Sequence, residues 1–164
     1  MPAIFFYDVV LAVHIMAVVA AFGVIFAYPI ISAYVTREQP QFLPVLHTLQ
    51  NRIGRFLITP AATVALLAGF YMANDRDYMG KVWVVIPLLI LIAILGVGGA
   101  YLAPNERRAA ELASRDIAAA APDGPVTLSP EYEALASRLA LVGALAAGLV
   151  LVAIFFMAAK PGGY

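Results

Sequence analysis

Polar residues are bunched along this chain. Between the bunches lie four uncharged stretches, Val9–Thr36, Phe56–Asn74, Val82–Asn105 and Leu139–Ala159. A bilayer core of roughly 30 Å is crossed by about 20 apolar residues in a helix, so each stretch is long enough to span. None shows the short alternating segments of a membrane strand. Backbone groups in lipid must find their partners within a helix. The pattern therefore predicts an all-α integral membrane four-helix bundle, up-down-up-down, over a single transmembrane domain of residues 1–164. The predicted spans are about 6–35, 52–74, 81–103 and 131–159, with a cytoplasmic helical link at about 104–130.

The links carry readable punctuation. Pro40 and Pro44 break the first link, after which Val45–Arg52 restarts a helix that flows into span two, with Pro60 near its start. Pro87 predicts a kink in span three. Pro104 opens a link helix to about Ala121, with opposite charges at i,i+4 in Arg107–Glu111 and Glu111–Arg115. Pro122-Asp123-Gly124-Pro125 ends it. Ser129-Pro130-Glu131 then reads as an N-cap, a first-turn proline and a first-turn acid opening the last helix. Tyr78 and Trp83 fall where an interfacial aromatic belt lies.

Composition agrees with the pattern. Hydrophobic residues make up 63% of the chain and charged ones 12%, about half the charged share of soluble domains. A formal net charge of zero supplies no basic field for nucleic acid. The absence of cysteine excludes disulfides, thiolate-bound zinc and iron–sulfur clusters. Met1-Pro2-Ala3-Ile4 has no positive n-region, and the run behind it far exceeds a signal h-region, so the first span is expected to be retained. Arg37, Arg52, Arg55, Arg107, Arg108, Arg115 and Arg138 lie on one side of the predicted bundle, against Arg76, Lys81 and Lys160 on the other. The positive-inside rule then places both termini outside.

Helices in lipid associate through close packing of small residues. Ala140, Ala144 and Gly148 form one such ridge on span four, Gly143 and Ala147 a second, and Gly96 and Ala100 a third on span three. On span one, His14, Ala17, Ala21, Ile25 and Tyr28 share a stripe expected to face the bundle. Ala61, Ala65 and Gly69 repeat at four-residue spacing on span two.

Candidate chemistry is sparse. His14 is the one residue deep in a span that titrates near neutrality. It is either a haem or metal ligand or proton relay, or a neutral histidine bonded to a neighbouring hydroxyl or carbonyl. His47 is expected in the cytoplasmic link as an interfacial polar residue, on the order of 20 Å from His14 at 1.5 Å per residue and so a poor partner for it. Lys81, opening span three, either reaches toward His14 or snorkels outward. Arg52 and Arg55 either bind lipid phosphates or another anion, or serve only to orient the chain. No acid sits within a span, which argues against an ion-coupled pump. No catalytic triad, nucleotide loop or metal-spaced cluster is present.

His14, Gly23 and Tyr28-Pro29, followed by Arg52-Ile53-Gly54-Arg55-Phe56, Ala68-Gly69 and Gly80-Lys81-Val82-Trp83, give the chain a resemblance to the bacterial integral membrane proteins called domain of unknown function 2269. That resemblance implies a fold and a bacterial inner-membrane location more than a reaction. The spacing of His14 and Tyr28-Pro29 also looks like the first span of HemJ-type protoporphyrinogen oxidases. There a first-span His and a third-span Lys are associated with haem, which the resemblance places on His14 and Lys81. Ile30 stands where that type has an arginine. The bundle is similar in outline to CopD copper-resistance proteins, although Met16, Met72, Met79 and Met157 are scattered. The leading expectation is a structural or accessory membrane protein in preference to an enzyme, with self-association or a membrane partner through the small-residue faces. A haem-binding oxidoreductase-like bundle and a small-molecule or metal carrier are the alternatives.

Overall fold

The computed structural model describes residues 6–120 and 124–163. The start of the chain, from Met1-Pro2-Ala3-Ile4, and the helix stop at Pro122-Asp123 lie outside the described residues. Every regular element among the described residues is helical. Four helical rods, Phe6–Glu38, Pro40–Asp75, Val82–Ala119 and Pro130–Ala159, are long and apolar enough to cross a membrane. The second and third exceed the predicted spans by a few turns, because the link segments beside them are helical too, whereas the first exceeds its span by three residues.

Rod one joins α1 (Phe6–Phe22) to α2 (Tyr28–Glu38) through a 3-10 turn at Gly23–Phe26. Rod two opens with a 3-10 turn, Pro40–Phe42, and joins α3 (Leu43–Ile53) to α4 (Thr59–Asp75) through a π turn at Gly54–Ile58. Rod three joins α5 (Val82–Val97) to α6 (Ala103–Ala119) through a π turn at Gly98–Leu102. Rod four is one helix, α7 (Pro130–Ala159). Pro87 stays inside a continuous α5.

The three interruptions share a sequence cause. Each begins at a glycine six residues before a proline: Gly23 and Pro29, Gly54 and Pro60, Gly98 and Pro104. Proline offers no N–H, and its ring meets the carbonyl four residues back. Rods two and three widen to accommodate it. The Thr59 N–H reaches the Gly54 carbonyl, and the Ala103 N–H reaches the Gly98 carbonyl, the i→i+5 pattern of a π turn. The Thr59 hydroxyl adds a second bond to the Gly54 carbonyl at 2.9 Å. Rod one tightens instead, with the Ala27 N–H on the Val24 carbonyl at 3.1 Å.

These turns divide the molecule into two storeys. In one, α1 packs on α4, α4 on α5 and α5 on α7. In the other, α2 packs on α3, α3 on α6 and α6 on α7. The first storey is closed by small residues: Ala17, Ala21, Ala62, Ala65 and Ala73 are buried, while Phe6, Val19, Leu67, Leu89 and Phe155 face outward. Phe56 is 74% exposed and Ala21 0%, the reverse of a soluble core and the order expected where lipid is the solvent. The predicted stripe on rod one faces the bundle, with Ala17 and Ala21 buried and Ile25 against the cluster of Phe22, Ala62 and Val150. The ridge Ala140, Ala144 and Gly148 on α7 is exposed, as are Gly96 and Ala100, whereas Gly143 and Ala147 are half-buried.

The second storey has an ordinary core of Leu43, Leu46, Ala109, Leu112, Ala113, Tyr132 and Leu139. The predicted helix start at Ser129 is present: its hydroxyl accepts from the Tyr132 N–H at 3.3 Å. Among the described residues the expected pairs of Glu111 with Arg107 and Arg115 do not form. Arg115 pairs with its neighbour Asp116 at 3.2 Å, while Arg108 and Arg115 reach Glu131 at 2.6 and 3.6 Å. The two pairs with Glu131 fasten the start of α7 to α6, a tertiary demand that a helix-local spacing rule does not contain.

Candidate functional site

A buried polar cluster lies just beyond the three turns, where side chains of rods two, three and four meet. His47 stands on α3, whose buried face also holds Leu43 and Leu46. Its Nδ1 is 2.6 Å from Glu106 Oε2 on α6, and its Nε2 is 2.9 Å from the Tyr132 hydroxyl on α7. With a neutral ring, Nδ1–H donates to the carboxylate and Nε2 accepts from the tyrosine, so both nitrogens are satisfied. The His47 and Tyr132 rings also meet edge to face, 5.7 Å between centroids. His47 and Tyr132 are 7% and 3% exposed, so the imidazole and hydroxyl are closed to bulk water, while the Glu106 side chain keeps 15% of its exposure. On rod one, Tyr28 lies within the electrostatic reach of Glu106 without bonding to the cluster. Its hydroxyl is buried and has no hydrogen-bond partner among the described residues. Asn51, one turn along α3 from His47, donates to the Ala103 carbonyl at 2.6 Å, tying rod two to rod three at the edge of its π turn.

Reading His47 as an interfacial polar residue therefore needs correction: it is a buried hub. Helical spacing could have indicated this, because His47 shares a face with Leu43 and Leu46. Its partners come from residues 106 and 132, and no local pattern links those to residue 47.

His14 lies in the other storey. Its Nδ1–H donates to the Ala65 carbonyl on α4 at 2.8 Å. Gly69, one turn further along α4, leaves the room that its ring fills: a Cβ there would stand 3.1 Å from His14 Cε1. Span two thus presents the predicted Ala61, Ala65 and Gly69 ridge to a histidine and not only to apolar neighbours. Lys81 caps α5 in an extended conformation and gives its backbone N–H to the Tyr78 carbonyl at 2.9 Å. Among the described residues no hydrogen bond or ion pair joins Lys81 to His14. Nδ1 is engaged, so a ligand to this ring would have to take Nε2. A surface groove between α1 and α4, lined by Val9, Val13, Val64, Leu67 and Tyr71, is wholly apolar, and His14 is not in its wall. Among the described residues no group of three His, Asp or Glu side chains is placed to hold a metal ion.

At the far end of this storey, Trp83 packs on Ala73 and Val84 and donates from Nε1 to the Gly163 carbonyl at 3.1 Å. The Tyr78 ring lies 5.1 Å from it, so the two predicted belt aromatics form one contact.

The arrangement holds two ring-nitrogen sites in separate storeys: a buried imidazole with both nitrogens bonded to side chains of rods three and four, and a histidine anchored on a helix backbone. Neither family models, nor curated proteins, nor solved structures match this chain.

Proposed function

We propose that this is a multi-pass protein of the bacterial inner membrane with a structural or accessory role. Its rods would run up-down-up-down with both termini outside, and the His47 storey would project into the cytoplasm. The pairing of α1 with α4, α2 with α3 and α3 with α6 supports that order. Rod lengths support the projection. Rod two holds 36 residues, about 54 Å of helix at 1.5 Å per residue, against a bilayer core of roughly 30 Å. The turns fall about one bilayer thickness from the Phe6 and Tyr71 end. The location rests on the resemblance and on the arginine asymmetry.

One observation carries the accessory reading. The cluster that joins rods two, three and four spends its imidazole, carboxylate and Tyr132 hydroxyl on one another, with the imidazole and hydroxyl buried. Such a cluster fixes how the rods meet. Because the chain has no cysteine, single-cysteine variants test the placement cleanly. Asp77→Cys is expected to react with an impermeant maleimide in intact cells, and Glu111→Cys only after the cytoplasm is opened. The reverse labelling would overturn the orientation.

A second reading, haem binding at His14, is favoured by the Nδ1–H bond to the Ala65 carbonyl. Ligating histidines commonly donate their other nitrogen in this way. An absorption spectrum of protein expressed with haem supplied tests it. A Soret band lost in His14→Ala supports ligation, and a featureless spectrum leaves His14 as a packing residue.

A further inference from the structure

We propose that Arg52, Arg55, Arg107 and Arg138 form a belt that binds anionic phospholipid at the inner boundary of the bundle. The inference rests on the membrane reading above and adds the identity of the lipid that the protein selects.

The belt follows from the level of each residue. The bonds from Asn51 to the Ala103 carbonyl, and from His47 to Glu106 and Tyr132, fix one plane across rods two, three and four. Arg52 and Arg55 follow Asn51, Arg107 follows Glu106, and Arg138 lies about 9 Å along α7 from Tyr132 at 1.5 Å per residue. All four therefore sit close to this plane, near the π turns. All four are exposed. None of them forms an ion pair among the described residues, whereas Arg108 and Arg115 are held by Glu131 and Asp116. At the opposite end the cations Arg76 and Lys160 lie over protein rings, Arg76 at 4.4 Å from Tyr7 and Lys160 at 5.2 Å from Trp83.

The surface around the belt selects a lipid over a free anion. On the bilayer side of Arg52 and Arg55, rod two exposes Phe56 and Leu57, 74% and 43%. A guanidinium beside such apolar side chains offers a phosphate its paired N–H donors and offers acyl chains a surface next to it. Nucleic acid and soluble phosphates use the first feature and have no use for the second. At Gly54, between the two arginines of rod two, a Cβ would meet nothing within 4 Å, so the backbone there is open to a headgroup.

The test compares the intact protein in nanodiscs of phosphatidylcholine with and without phosphatidylglycerol, reading the unfolding temperature and the lipid retained in native mass spectrometry. Phosphatidylglycerol is expected to raise the unfolding temperature and to be retained preferentially. Each arginine replaced is expected to lower that retention about fivefold. Arg52→Gln/Arg55→Gln should lose most of the preference, Arg52→Lys/Arg55→Lys should keep part of it, and Arg37→Gln, further out on α2, should keep all of it. Should the Gln variant fail to fold, the wild-type preference must still weaken as salt rises. Equal retention of both lipids, an unchanged preference in Arg52→Gln/Arg55→Gln, or full stabilisation by glycerol phosphate alone overturns the belt. A protein that enters no bilayer of either composition overturns the membrane reading instead.

Discussion

The His47 imidazole on α3 stands 2.6 Å from the Glu106 carboxylate on α6, and the two are 59 residues apart in the chain. Glu106 keeps a side-chain exposure of only 15%, so the histidine is its principal compensation for lost water. Removing one member of such a pair strands the other. His47→Leu is expected to cost about 3 kcal/mol in detergent unfolding. His47→Leu/Glu106→Leu should recover most of that loss. If the double variant is no better than the single, the two side chains are not coupled as the geometry requires.

Tyr28 gives the opposite sign. Its hydroxyl is buried without a partner among the described residues, and an unsatisfied buried polar group costs on the order of 1 kcal/mol or more. Tyr28→Phe removes the hydroxyl and keeps the ring. The variant is expected to unfold later than wild type by about 1 kcal/mol. A clear loss of stability would mean that the hydroxyl has a partner in solution.

Gly69 is fitted to His14. A Cβ there would stand 3.1 Å from His14 Cε1, so the ring or the helix must shift. Gly69→Ala should cost a fraction of the roughly 1–3 kcal/mol of an overpacked core site, and Gly69→Val the full range. His14→Ala/Gly69→Val, with the ring removed, should be less destabilised than Gly69→Val alone. Additive losses in that cycle would separate the two positions.

The α6–α7 junction is expected to loosen in acid. The Asp116 carboxyl is held below its ordinary range, chiefly by the Ser129 hydroxyl and then by the Ser129 N–H, with Arg115 adding to the effect and burial opposing it. A carboxyl depressed in the folded state binds its proton more weakly there than in the unfolded chain. Its contribution is therefore complete above the ordinary carboxyl range and is lost as pH falls through the depressed folded value. Wild-type stability should decline with acidification below about pH 4, and Asp116→Asn should be less stable at neutral pH and flatter across that interval. Ser129→Ala should cost about 1 kcal/mol through the lost N-cap. Identical acid profiles for wild type and Asp116→Asn would remove Asp116 from this role.

Much of this protein was legible along the chain. Four uncharged runs of spanning length predict four helices, and four helices long and apolar enough to cross a membrane are present. Pro40 and Pro44, and the Ser129-Pro130 start, punctuate the rods where local backbone chemistry demands it. A glycine six residues before a proline was also present in the sequence, and inside the rods it marks the three places where the helices change pitch, while Gly124 and Pro130 repeat it in the link before α7. Tertiary structure alone decided which polar residues meet. His47 reads locally as a link residue, and Glu106 reads as the first-turn acid of a helix. They become one buried cluster with Tyr132 because α3, α6 and α7 pack together, and burial then makes their mutual bonds obligatory. His14 and Lys81 show the same limit: each was conspicuous in sequence, yet the partner His14 finds is a backbone carbonyl beside a glycine. Periodicity specifies which elements form and which faces they bury. Which side chain stands opposite another depends on how the rods are registered, and that is set by the sum of all their contacts.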